Sequence, residues 1–589
     1  MQTSRLFDVA QTGPTSSPVA AHAQWATRGP EALALAGLAV WAFLVRFVML
    51  FQPQRIVWGD EPFYLWLGRN WLTGQGYSFT GYPDVHHTPM YPLLSGLFYL
   101  FTRNVNPTAA QAMELASDIC YVLFGVMLII PIYLLAKEMY GRGPGYAAAL
   151  LLAVYPAIAT APLFWGTLTE PPYYFFVYTG LWLVLVAMRR SKAWAHALAG
   201  SCFGLAYLTR PEAVAYVAVC GGVLLLVRLF EKKLFRRETL IALSLYLIGF
   251  LVLFLPYAYY VYRQTGSWMV SEKAGVTFVT CIGLSEGNTA AFDRATWGLD
   301  STGCEVFFFS RESYNISMID VIRAHPSEFV QLLVRNIRRF ISSLLSSRLF
   351  PYYLLPLLGL AFFKAAWDKA RVKGELLLLF SLTPVLAFLL FFIQDRYIAT
   401  ALPTLVIWLG LGAHELGVWL RGTAENLLEG RKLGRLWRGA LVAIPTLALL
   451  TYLVAMQPRA VAQYTNIGSF RTEHKTIGLW MKDSIPRDSV VMSRFPAIAF
   501  YAEQRWEPTP NAEYSQALDY ARANHVQYWA LDEEETRDLR PQFAFLLDAN
   551  KTPPELQLVH ALDSARGKLS VFRVLKVPKM LGLSAPLGK

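Results

Sequence analysis

The sequence predicts a polytopic α-helical membrane protein of about 11–13 spans, ending in a soluble extracytoplasmic α/β domain. Three observations predict it. The 589 residues are 55% hydrophobic and 16% charged, against roughly 25% charged residues in a soluble chain. Apolar runs of about 20 residues, long enough to cross a bilayer, recur up to residue 456. Lys and Arg gather at every second connection, as orientation in a bilayer demands.

The apolar runs cover 31–51, 116–136, 145–162, 170–188, 195–209, 211–229, 239–262, 350–364, 375–393, 397–419 and 439–456. The segment 88–102 is apolar but short, so it is either a further span or a helix lying in the interface. Basic clusters such as Arg189-Arg190, Lys232-Lys233 and Arg431-Lys432 mark the cytoplasmic side. By parity, the amino terminus lies inside. The loop near Asp60, the loop 263–349 and everything after residue 456 lie outside. A multi-pass protein of the plasma (inner) membrane is expected.

Residues 1–30 lack the short apolar core and cleavage site of a signal peptide. They read as a disordered cytoplasmic tail, before a membrane domain over 31–456 with outer loops at 52–88 and 263–349. The net charge of +12 follows from the cytoplasmic loops, so it does not indicate nucleic acid. Cys281 and Cys304 share the second outer loop, where an oxidising compartment would let them pair as a disulfide. In 457–589 the periodicity changes. β-rich runs at Ser489–Ser493, Val526–Leu531, Leu556–Ala561 and Leu569–Leu575 alternate with helical ones, giving the α/β domain. The acidic run Asp532–Glu535 reads as a solvated face.

Carboxylates at a membrane edge are costly and need a reason. Gly59-Asp60-Glu61-Pro62 follows the first span. Asp60 suits the N-cap of a short helix, with proline in its first turn. It equally suits a general base, its pKa raised by a low-dielectric surface and by Glu61. His86-His87-Thr88-Pro89-Met90-Tyr91-Pro92 makes an interfacial turn. Its histidines would contact a phosphate, or His87 would complete a metal site with Asp60. Glu170, in Thr169-Glu170-Pro171, is a helix cap or a second carboxylate for a sugar or acceptor hydroxyl. Arg210, in Thr209-Arg210-Pro211-Glu212, either neutralises Glu212 or binds a phosphate. Asp395-Arg396-Tyr397 offers the same choice. Together these charges read as one outer-face cavity for an anionic lipid and a polar head.

The order of these motifs resembles the GT-C superfamily of lipid-dependent glycosyltransferases. More narrowly, it resembles the bacterial branch that groups protein O-mannosyltransferases with the lipid A aminoarabinose transferase. The matching residues are Asp60-Glu61, His87–Pro92 with Thr88 where the pattern has proline, Thr169–Pro171, Gly204–Glu212, and Arg396-Tyr397 with Pro403. The resemblance implies a polyprenyl-phosphate sugar donor, a protein, lipid or glycan acceptor, and transfer with inversion. Asp60, with Glu61 beside it, would be catalytic. His86, His87, Tyr91, Glu170, Arg210, Glu212, Lys273, Arg396 and Tyr397 would bind substrate. Some members of the family hold a divalent cation (Mg, Mn or Zn) near the acidic loop, and others need none. The alternative is a lipid-linked sugar transporter or flippase. Such proteins show related halves and midplane charges, whereas here the charges gather at one face.

Overall fold

The computed structural model describes residues 18–575, apart from 53–54, 80–82, 191, 286–288, 315, 364–366, 429–433 and 467–469. Each predicted apolar run is helical. Eight of the described helices are long and apolar enough to cross a membrane, from Gly29–Leu50 to Arg435–Thr465. The runs at 145–162, 195–209 and 350–364 form shorter pieces. Prolines explain the first, where Arg142–Ala153 gives way to the turns Pro156–Ala159 and Ala161–Phe164. A ring without an N–H cannot continue a helix but starts the next one well.

The segment 88–102 becomes the 13-residue helix Met90–Thr102. It rises about 20 Å, short of the roughly 30 Å hydrocarbon core, and packs closely on the helix Glu61–Leu72. There Gly68 and Gly96 let two backbones touch, for a Cβ on Gly96 would come within 2.5 Å of the Gly68 carbonyl oxygen.

The first helix runs from Pro18 to Leu50 and so takes in part of the expected tail; residues 1–17 lie outside the described residues. The expected disulfide is not formed. Cys281 is buried against Phe278 and Leu332 on the helix Lys273–Ser285, whereas Cys304 is exposed in a turn held by Asp300. Two cysteines of one loop point to different surroundings.

The C-terminal region carries a five-stranded sheet of order β2-β1-β3-β5-β4. Its strands are β1 (Val490–Ser493), β2 (Arg505–Pro508), β3 (Tyr528–Asp532), β4 (Leu556–Ser564) and β5 (Gly567–Val574). β1 runs parallel to β2 and β3, while β5 is antiparallel to β3 and β4. The sheet region packs directly on the membrane part, and one hydrophobic core runs through both. Trp506 lies 5.2 Å from Phe63, and Phe500 lies 6.0 Å from Trp66, ring to ring. The Tyr501 hydroxyl accepts the Val57 amide at 2.7 Å. So the helix after Asp60 is braced from outside the membrane.

The long loop 263–349 is tied to the same region by a buried ion cluster. Asp293 accepts from Arg494 at 2.7 and 2.9 Å, from Arg540 at 3.0 Å and from Asn511 at 2.9 Å. Burial alone would raise the Asp293 carboxyl, but Arg540 and Arg494 hold it below the usual range. Burial pulls the Arg540 guanidinium down to about 10. Nor is Asp532–Glu535 a solvated face. Asp532 is buried, caps the helix Glu533–Leu539, and lies beside Arg471 and His474.

Candidate active site

Asp60 stands just before the helix Glu61–Leu72, with proline in the first turn, yet its carboxylate makes no capping hydrogen bond. It is left facing outward, about one-third exposed, with Lys273 Nζ 3.5 Å from Oδ2. The expected upward pKa shift does not occur. Burial pushes the carboxyl up, but the charges of Lys273, Arg396 and His87 outweigh it and hold Asp60 below its ordinary range. The low dielectric is legible in the sequence, whereas the cations that gather around Asp60 are brought there by the fold.

Glu61 has a different fate. It is fully buried and held by Arg55 at 2.8 and 3.2 Å and by the Ser117 hydroxyl at 2.5 Å. Arg55 also reaches Asp118 at 3.0 Å. Tyr91 belongs to this inner layer, its hydroxyl 2.9 Å from Ser117. The adjacent carboxylates thus point two ways: Asp60 toward Lys273, Glu61 into the packing with Arg55 and Ser117.

Two glycines place the next motif. Gly59 has φ +62° and Gly166 φ +72°, conformations that side chains rarely adopt. Each also lies where a Cβ would press on the other loop: one on Gly59 would meet the Gly166 oxygen at 2.9 Å. The Glu61 amide donates to that oxygen at 2.9 Å. This pin brings the Asp60 loop against the loop leading to Glu170. Glu170 is fully buried, accepting from the Thr167 hydroxyl at 2.9 Å and from Arg210 at 2.7 Å.

Arg210 is saturated. It pairs with Glu170 and Glu212 and lies over the rings of Tyr173 and Tyr397. Arg396 is not. Among the described residues its guanidinium contacts the Tyr397 hydroxyl, at 3.0 Å, and the face of that ring at 5.0 Å. Its Nε is buried without a hydrogen-bond partner, and it makes no carboxylate ion pair among the described residues. Asp60, Glu170 and Arg210 all lie within its electrostatic reach. Tyr397 is fixed in turn by stacking on Phe388 at 4.2 Å.

The histidines are positioned from behind. His87 Nδ1 is 3.1 Å from Asp84, whose carboxylate also accepts the His87 amide at 2.9 Å. Its ring packs on Tyr64 and Phe63, one turn from Asp60. His86 pairs with Glu272 and stacks on Phe308, the ring that also lies beneath Lys273. His86 therefore fixes the segment that presents Lys273. The Thr88 hydroxyl donates to the Thr209 carbonyl at 2.8 Å, joining the His segment to the Arg210 corner.

The profile of the family described as dolichyl-phosphate-mannose-protein mannosyltransferase matches residues 86–260. Among solved structures, the Archaeoglobus fulgidus oligosaccharyltransferase with zinc and sulfate superposes at a TM-score of 0.55 and 16% identity, over 85% of this chain and 68% of that one. The same protein, AglB, with an inhibitory peptide and a dolichol-phosphate gives 0.51 and 15%, over 94% and 76%. ArnT from Cupriavidus metallidurans gives 0.50 and 14%, over 93% and 98%. At such identities the structural likeness shows the fold. No curated protein matches the sequence.

The chain has the fold shared by the GT-C membrane glycosyltransferases.

Within this fold the Asp60, Glu170, Arg210 and Arg396 motifs lie near one another, and several supporting residues carry no sequence signal. Arg55, Asp84, Thr167 and Glu272 each hold a motif residue through their side chains. Asp60 and His87 do not make a metal pocket. Lys273 and Arg396 surround Asp60 with positive charge, His87 Nδ1 is committed to Asp84, and no metal-ligand group occurs among the described residues. No step is therefore derived through a metal.

Proposed function

We propose that the protein transfers a sugar, with inversion, from a polyprenyl-phosphate donor to a hydroxyl or phosphate acceptor at the outer face of the inner membrane. The acceptor is a protein, a lipid or a glycan. One observation carries the reading: an uncapped carboxylate, Asp60, lies 3.5 Å from Lys273 and within electrostatic reach of Arg396, a guanidinium with no carboxylate partner among the described residues. The first is the equipment of a base and the second of a phosphate cradle. The sidedness, with the amino terminus cytoplasmic and the sheet domain outside, rests on the loop charges.

For a hydroxyl acceptor, Asp60 takes the acceptor proton as the acceptor oxygen bonds to the anomeric carbon. The bond from that carbon to the phosphate oxygen breaks, and polyprenyl phosphate leaves with the electron pair. Arg396 and Lys273 stabilise the growing negative charge. Arg210, already neutralised by two carboxylates, serves instead to hold Glu170 and Glu212 for the sugar or the acceptor hydroxyl.

The test is a transfer assay with purified protein and a panel of labelled polyprenyl-phosphate sugars. Transfer from at least one donor is expected. Movement of the donor across liposomes without transfer would replace this reading by the transporter. Arg396→Gln should lower kcat/KM for the donor about 10²-fold, the scale of a hydrogen bond to a charged group. Arg210→Gln should act differently, lowering stability as well by stranding Glu170. Equal kinetic losses with unchanged unfolding in both variants would remove the distinction.

A further inference from the structure

The outer loop ends in a helix that the chemistry above does not use, Pro326–Leu344. One face packs on the protein through Leu332 and Asn336, both buried. On nearly the opposite side, Val330, Val334, Ile337 and Ile341 are 58, 45, 46 and 54% exposed. At about 100° per residue these four fall on one line along the helix. Arg335, Arg338 and Arg339 occupy the arc between that line and the packed face. A groove of about 380 Å³ lies among Val330, Gln331, Val334 and the three arginines.

Neither half of this surface is at rest in water. Four branched aliphatic side chains stay uncovered, which a bilayer's acyl boundary would cover. Arg335 and Arg339 are like charges one turn apart, an unfavourable pair. Arg338 and Arg339 make no ion pair among the described residues. A cation cluster bordering an apolar stripe matches an anionic phospholipid: acyl chains along the stripe, phosphodiester in the guanidinium forks.

The helix is also wired to the catalytic face. The Asn336 amide donates to the carbonyls of Leu389 and Phe391 at 2.9 and 2.7 Å. These carbonyls close the turn segment Thr383–Leu390, just ahead of Asp395 and Arg396. We infer that the helix Pro326–Leu344 is an anionic-phospholipid site, in which Arg335, Arg338 and Arg339 hold a lipid phosphate and the aliphatic stripe lies in the bilayer. This goes beyond sugar transfer and does not depend on it.

The test uses thermal unfolding of the full-length protein in detergent, with short-chain lipids as probes. Dioctanoyl-phosphatidylglycerol should raise the unfolding temperature with dose, and dioctanoyl-phosphatidylcholine should not. Each arginine removed should weaken the apparent affinity about five-fold, so R338Q/R339Q should lose about 25-fold. R338K/R339K should keep most of the binding, which excludes misfolding as the cause. Equal protection by both lipids, or undiminished protection of R338Q/R339Q, would overturn the site. So would protection by citronellyl phosphate that needs these arginines while phosphatidylglycerol gives none, since the groove would then serve the donor.

Discussion

Replacing Asp60 by asparagine lowers the transfer rate by about 10²–10⁴-fold, the usual contribution of a positioned base, while thermal unfolding stays close to that of the unaltered protein. The two halves of this expectation come from different observations. The rate falls because the amide cannot take a proton at the atom that faces Arg396 and Lys273. Stability holds because the carboxylate caps nothing and is partly solvated; an exposed ion pair contributes about 0–1 kcal/mol. The pH profile adds a second readout. Asp60 is held below the ordinary carboxylate range, and a base works only above its own pKa. The acid limb of kcat/KM therefore lies below about pH 4, the unperturbed aspartate value. Lys273→Met removes the nearest compensating charge, leaves burial in command, and moves that limb upward. A rate in Asp60→Asn equal to that of the unaltered protein would take Asp60 out of the chemistry. An acid limb unmoved in Lys273→Met would assign it to another group.

A depressed pKa makes Asp60 a weaker base than the sequence argument supposed. For the proposed donor, the same cations would keep it ionised beside a phosphate that otherwise favours its protonation. The arrangement trades basicity for a guaranteed charge state. It also separates the two arginines singled out by sequence. Both sit where a span begins, and only the distribution of carboxylates tells them apart: Arg210 has two, Arg396 none among the described residues.

What the sequence showed well was whatever costs energy in a membrane. Charged groups at span ends stand out because their burial needs a reason, so Asp60, Glu170, Arg210 and Arg396 were all visible. The helical spans were visible because the bilayer imposes both length and hydropathy. What stayed hidden was pairing. Arg55 follows the first span and looks like any interfacial cation; nothing in its neighbours says that it turns inward to Glu61. Asp84 lies three residues before His87, a spacing that signals a side-chain pair only once the turn is known. Cys281 and Cys304 share a loop, but a helix aims one of them into the packing. β2 was missed because Arg-Trp-Glu-Pro is too short and too charged to show a strand's alternation. Its Trp506, the ring that braces Phe63, went unremarked with it.

Glu61 yields the opposite phenotype from its neighbour. Glu61→Leu destabilises the protein by about 3–5 kcal/mol, the cost of breaking a buried ion pair from one side. The reason is Arg55, whose side chain is 4% exposed and would be left with Asp118 alone. The Ser117 hydroxyl would lose its acceptor as well, and Tyr91 the network behind it. Glu61→Gln keeps the shape and one acceptor oxygen, so it costs less, about 1–3 kcal/mol. Its transfer rate per folded molecule should stay within about ten-fold of the unaltered enzyme, because Glu61 does not reach the cavity. The check pairs thermal unfolding with single-turnover rates on the folded fraction, beside Asp60→Asn. A Glu61→Gln protein that melts normally yet is as inactive as Asp60→Asn would put Glu61 in the chemistry, and would require the Arg55 pair to open during turnover. A protein that melts early but turns over well would fix the division of labour: one carboxylate of the motif holds the loop, and the next one takes the proton.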